Sequence, residues 1–308
     1  MQTKMEGSSP SPCLHLPVRS ISLPSREHPI SLKFDAVLNH LKSWQILSAS
    51  ETAPFGAESF QIGLVGLAEL YNYVEQIFLT PQAQQAIIHY QNGKLVEEAL
   101  DGSLTLLDTC GTAKDLLLMM KEHVLALQSA FRRKGGNSSN KSNIYAYINS
   151  RKKVQKDIGK CLVALKKLET KVGCPDVFDA DQNVSMVVRV IREASIITIS
   201  IFRSLLLFLS MPGMKTRSGW ASVSKLISLR SSSSDKGEDH INEIKSLDLS
   251  LSSLHEQLQA GDPKAEVKRI QTLLEAVNLS LDSLEAELEC MSRCLVQNRV
   301  SLLNILTQ

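Results

Sequence analysis

The segment from Pro263 to Gln308 reads PKAEVKRIQTLLEAVNLSLDSLEAELECMSRCLVQNRVSLLNILTQ. Within it Val267, Ile270, Leu274, Val277, Leu281, Leu284, Leu288, Met291, Leu295, Asn298, Leu302 and Ile305 succeed one another at alternating steps of three and four, and eleven of these twelve are apolar. A repeat averaging 3.5 residues keeps one stripe of a long helix against a partner helix. Immediately upstream, Ile244, Leu247, Leu251, Leu254 and Leu258 carry the same steps. Between the two runs, Gly261-Asp262-Pro263 supplies a C-terminal glycine, an N-cap and a first-turn proline in order. The spacing therefore predicts an antiparallel, coiled-coil-like hairpin whose second helix is much the longer. No alternating charges flank its overhanging half, near Leu281–Ile305, so it is expected to pack on its own bundle.

Further stripes lie upstream. Phe34, Val37, Leu38, Leu41 and Trp44 give an amphipathic face with Ser31 as its cap. Phe60, Leu64, Leu67, Tyr71, Val74 and Phe78 give another, and a short helix is predicted from Pro81 to about Tyr90. Leu106, Cys110, Ala113, Leu117, Met120, Val124, Leu127 and Phe131 form a third stripe, where the small Cys110, Gly111 and Ala113 allow a close helix approach. Gly135 to Asn140 reads as a loop, and Val154, Ile158, Cys161, Leu165, Leu168 and Val172 as a fourth stripe. The run Ile196–Met211 is the most apolar, but Arg203 interrupts it well short of the roughly 20 residues a membrane span needs. A central buried helix is expected there.

The fold class is thus all-α: a multi-helix bundle ending in the hairpin. The expected organisation is a disordered tail over 1–29, a helical bundle over 30–214, a Ser-rich linker over 215–240 and a hairpin over 241–308 packed on the bundle.

Composition bounds the function. The 34 basic and 32 acidic residues leave a net charge of +2, which argues against a chain that binds nucleic acid along its whole length. Six cysteines without a CxxC pair read as reduced thiols. No GxGxxG, GxxxxGK[ST], HExxH or GxSxG is present, and the seven histidines show no ligand spacing. Cys290 and Cys294, four apart, lack partners for a metal and read as buried thiols; Asp101, Asp108 and Asp115 read as a solvated stripe. No catalytic, cofactor or metal site is expected.

Two features point to partners. Arg19-Ser20-Ile21-Ser22-Leu23-Pro24 has the spacing that 14-3-3-type adaptors bind when Ser22 is phosphorylated, making Arg19, Ser20, Ser22 and Pro24 a candidate regulated motif. Between Arg132 and Lys171, twelve basic residues stand against Asp157 and Glu169, a local balance of 12 − 2 = +10. Arg132, Arg133, Lys134, Arg151, Lys152 and Lys153 are its candidate contacts to an anionic membrane surface. Tyr145 and Tyr147 are its only aromatics, too few for base stacking, so nucleic acid is not favoured. The bland alternative is a solvated face balanced by acids such as Glu285, Glu287 and Glu289. The location expected is cytoplasmic with membrane association; the Ser-rich, acid-poor start also carries a plastid-transit reading.

The segments RSISLPSREHP (Arg19–Pro29), LLDTCGTAKDLLLMMKEHVLALQSAFRR (Leu106–Arg133) and LEAELECMSRCLVQNRVSLLNIL (Leu284–Leu306) resemble a plant-specific family related to the BYPASS proteins. The resemblance implies a mostly helical plant protein connected with root and shoot development, and brings no catalytic residues. Together these readings lead to a non-enzymatic adaptor or regulatory protein acting through helical-bundle contacts. The alternative is a peripheral membrane protein docked by the 132–171 segment.

Overall fold

A computed structural model describes residues 29–49, 56–89, 94–133, 137–172, 182–210, 242–257 and 264–307, and among them all regular structure is helical. The helices are α1 (Pro29–Ala49), α2 (Ala57–Phe78), α3 (Pro81–His89), α4 (Lys94–Arg132), α5 (Asn137–Val172), α6 (Gln182–Ser210), α7 (Glu243–Gln257) and α8 (Lys264–Leu306). The phosphorylation motif around Ser22, the Ser-rich stretch 215–240 and the Gly261–Pro263 turn lie outside the described residues.

The 43 residues of α8 span about 65 Å against about 22 Å for the 15 of α7. From Ile270 to Ile305 every stripe residue is buried, each apolar one contributing about 2 kcal/mol of transfer free energy. The overhang packs on α4 and α2. Lys121 binds Asp282 at 2.5 Å and Glu285 at 3.0 Å, and Lys114 binds Glu289, so the acids beside the stripe serve the α4–α8 seam. Asn298, the polar member of the stripe, donates to the Tyr71 carbonyl of α2 at 3.0 Å and to Cys294 O at 2.9 Å. A single polar residue in such a seam pins its register.

α6 packs on α1 through α5, and 61% of its most apolar stretch is buried. By length and composition it is able to cross a membrane, yet most of its apolar side chains are taken up by the protein's own core, Ile196 being exposed. Arg203, which interrupts the run, pairs with Glu169 of α5. Where α1 crosses α2, a Cβ on Gly66 would stand 2.7 Å from Leu41 Cδ2, so a larger residue there would push the Leu41 side chain aside. Trp44 closes the same crossing, its indole N–H donating to Ser59 O at 2.9 Å and its ring meeting Phe60 edge-on.

Several local expectations are corrected. α1 starts at Pro29, the favoured first helical position, so Ser31 lies inside the helix, where it accepts from Arg189 Nη2 at 3.4 Å. Asn137–Asn140 are not loop but the first turn of α5. Asn and Ser signal helix starts as well as turns, and only the helical period that begins downstream at Ile144 separates the two. Gly111 faces open space, and the close contact of α4 is made by Cys110, whose S–H donates to Leu288 O of α8 at 3.4 Å.

The cysteines divide by burial. Cys110 and Cys161 are buried, and burial pushes the Cys110 thiol up to about 12. Cys290, expected to be buried, is exposed, because it falls outside the α8 stripe; Cys294 is half-buried. Among the described residues no group of three or more His, Cys, Asp or Glu is placed to hold a metal. Alkylation of the native chain at pH 8 is expected to label Cys290 and leave Cys110 and Cys161 unmodified until denaturant is added, as read by peptide mass mapping. Equal labelling of Cys110 and Cys290 would refute the packing of α4 on α8.

Candidate anionic-surface interface

The basic segment is built on α5. Its core line runs Ile144, Tyr147, Arg151, Val154, Ile158, Cys161, Leu165, Leu168, again in steps of three and four, and all eight are buried. At 3.6 residues per turn the opposite side collects Tyr145, Lys152, Lys156, Val163 and Lys167 within an arc of about 60°, with Lys153, Lys166 and Lys171 at its edges. All of these are exposed, Tyr145 by 59% and Val163 by 48%. From Lys152 to Lys171 the face is about 28 Å long.

Two of the three acids expected to neutralise this face are engaged elsewhere, and Glu287 forms no ion pair among the described residues. Glu285 and Glu289 bind α4, Glu169 binds Arg203 and Asp157 binds Lys160 at 2.6 Å, which lowers the Asp157 pKa below the ordinary carboxylate value. Among the described residues, Lys152, Lys153, Lys156, Lys166, Lys167 and Lys171 form no ion pair. Asp101, Asp108 and Asp115 are exposed along α4, the helix antiparallel to α5, so lysine and aspartate stripes run on adjoining helices.

The residues expected as contacts fall into two groups. Lys152 and Lys153 are exposed on the face; Arg132 and Arg133 are exposed at the end of α4, Arg132 with Glu275 3.9 Å away and Arg133 donating to Ser129 O. Lys134 lies outside the described residues. Arg151 is no surface contact, because it occupies the core line and is only 5% exposed. Its guanidinium bonds Asp248 of α7 through Nε and Nη2 at 3.0–3.2 Å, and its Nη1 donates to Leu209 O at 2.9 Å. Tyr147 O–H donates to Asp248 Oδ1 at 2.7 Å. Burial pushes the Asp248 pKa up and the Arg151 charge opposes that rise; burial likewise raises the Tyr147 pKa, so the phenol stays a neutral donor.

This cluster also caps α6. Arg151, Gln155 and Asn242 donate to the carbonyls of Leu209, Ser210 and Phe208 in its last turn, where helical partners are missing. A cation there also meets the negative end of the helix dipole. The arrangement is structural: it fastens α5, α6 and α7 together. The sequence carries a signal for it, since extending the Val154 stripe back to Ile144 places Arg151 on the core line.

A groove between α4 and α5, about 620 Å³ in volume, is lined by Leu118, Met119, Glu122, His123, Asn149, Ser150 and Lys153. Its residues come from two helices and form no sequence motif.

Comparison with known proteins adds one match. The family model described as Protein BPS1 covers residues 63–305, more than three-quarters of the chain and the whole of α4 to α6. The chain belongs to the BPS1 family. Of the segments that resemble BYPASS proteins, Leu106–Arg133 and all but the last residue of Leu284–Leu306 fall within the matched region, and membership supports a role in plant development. No curated protein and no solved structure matches this BPS1-family chain. The BPS1 family is not a known enzyme family.

Proposed function

We propose that this chain is a non-enzymatic regulatory protein of plant development that docks on anionic lipid surfaces through the α5 lysine face. The observation that carries this reading is the row of six lysines without ion-pair partners on one exposed helix side. Basic residues near an anionic leaflet contribute about 1 kcal/mol each, so the face supplies up to about 6 kcal/mol before the entropy of docking is subtracted. Tyr145 and Val163, exposed among the lysines, give it apolar side chains at the depth of the headgroups. The rigid bundle beneath keeps the lysines aligned, so little ordering accompanies contact.

Flotation of the full chain with vesicles tests this. Binding is expected with vesicles containing phosphatidylserine, not with neutral phosphatidylcholine, and it weakens as salt shortens the Debye length from about 30 Å at 0.01 M to about 8 Å at 0.15 M. The triple variant Lys152→Glu/Lys153→Glu/Lys156→Glu is expected to lose at least about a hundredfold in binding. Binding that survives this reversal unchanged would sink the reading.

Adaptor contacts form the second reading, and the Arg19–Pro24 spacing favours it. It predicts that Ser22→Ala loses every partner that depends on phosphorylation. Partners that persist with Ser22→Ala would remove that motif from the account.

A further inference from the structure

We propose that the α4–α5 groove binds the phosphorylated polyol headgroup of an anionic lipid, an inference that rests on the membrane docking of α5. The first observation is Ser150. Its hydroxyl is buried without a hydrogen-bond partner, in a residue only 9% exposed that lines the groove. Elsewhere in these helices Thr105, Thr109, Thr112, Ser195 and Thr198 return their hydroxyls to the carbonyl four residues back. Ser150 does not; its oxygen is shielded from solvent, and a turn of the side chain about Cα–Cβ is what would bring the unpaired hydroxyl to a ligand in the groove.

The second observation is the donor set around it. Lys153 brings an ammonium, His123 an imidazole and Asn149 a carboxamide to the same groove. Four donor-bearing side chains lining one groove suit the oxygens of a phosphomonoester once Ser150 turns toward it. Glu122 adds a carboxylate, which repels a bare phosphate and accepts hydrogen bonds from hydroxyls. The combination selects a phosphate carried on a polyol. A groove of about 620 Å³ has room for a six-membered ring bearing one phosphate, and Leu118 and Met119 supply an apolar wall for the ring carbons.

Position identifies the source as a lipid. Lys153 belongs both to the groove and to the lysine face, so the groove opens beside the surface that meets the membrane. Leu118 and Leu125, seven apart on α4, are exposed by 45% and 44% next to it.

The test uses the full chain and vesicles of matched surface charge, containing phosphatidylinositol monophosphate or phosphatidylserine. Binding to the inositol lipid is expected to be about tenfold tighter, and His123→Gln/Ser150→Ala is expected to abolish that preference while phosphatidylserine binding stays. Thermal denaturation of the variant controls for folding; alanine at 150 removes an unpaired hydroxyl and improves helix propensity. Soluble inositol monophosphate is expected to compete with the inositol lipid, and inorganic phosphate at the same concentration is not. Equal binding to both vesicles overturns the groove and leaves the docking standing. Absence of binding to any anionic vesicle overturns both. A preference that survives the double variant, or equal competition by inorganic phosphate, also overturns the site.

Discussion

Asp248→Ala is expected to destabilise the bundle by about 3 kcal/mol. The substitution leaves Arg151 charged, 5% exposed and without its carboxylate, and removing one partner of a buried pair typically costs about 3–5 kcal/mol. The lower figure applies because Arg151 keeps the Leu209 carbonyl and the negative end of α6. Urea unfolding at pH 7 measures the loss. Hydrogen exchange should place it first in α7, which Asp248 ties to α5. Arg151→Met/Asp248→Leu separates charge from packing: replacing both ions with apolar groups is expected to recover part of the loss, with the remainder set by the Tyr147 hydroxyl and the Leu209 carbonyl, which lose these partners. An Asp248→Ala chain as stable as the parent would mean that the Arg151 charge reaches water, and the junction of α5, α6 and α7 would be wrong.

The contrast between Arg151 and its neighbours shows what the sequence conveys and what it hides. Long stripes are legible because a step pattern of three and four repeated over many turns has few competing explanations, and every residue of the α8 stripe from Ile270 is buried. Arg151 misleads because a count of charge groups it with Lys152 and Lys153, although its position belongs to the core line. Period and charge disagree at that residue, and period prevails because Asp248, on a helix distant in sequence, supplies the counter-ion. The pairing of Glu285 and Glu289 obeys the same logic. Local sequence places them beside the α8 stripe, and only the docking of α4 decides that they meet Lys121 and Lys114. The α4–α5 groove is not legible, since Ser150 becomes notable only when the structure leaves its hydroxyl without a partner. The lysine face itself is readable in outline, as a charge excess; that its charge stays unneutralised depends on tertiary pairing.

Leu284→Asp should have the largest effect, about 4 kcal/mol or more. Leu284 is fully buried at the middle of α8, flanked on the stripe by Leu281 and Leu288, which are equally buried. Truncating a buried leucine typically costs about 2.7–5 kcal/mol through lost transfer energy and the cavity left behind. The aspartate adds the penalty of a charge with no partner in an apolar seam. A single domain commonly has only about 5–15 kcal/mol in hand, so the variant should melt well below the parent. The pH dependence separates the two contributions. Burial raises the folded-state pKa of the new carboxyl above its unfolded value near 3.9, so the folded chain binds the proton more tightly. The deficit relative to the parent should therefore be greatest near neutral pH and shrink as pH falls through the raised pKa. Leu284→Ala, which has the cavity without the charge, should show a deficit that does not change with pH. Parallel urea titrations at pH 7 and pH 5 decide the matter. A Leu284→Asp deficit that is small and flat with pH would place that side chain in water, and the long helix would then not be the seam around which the bundle is built.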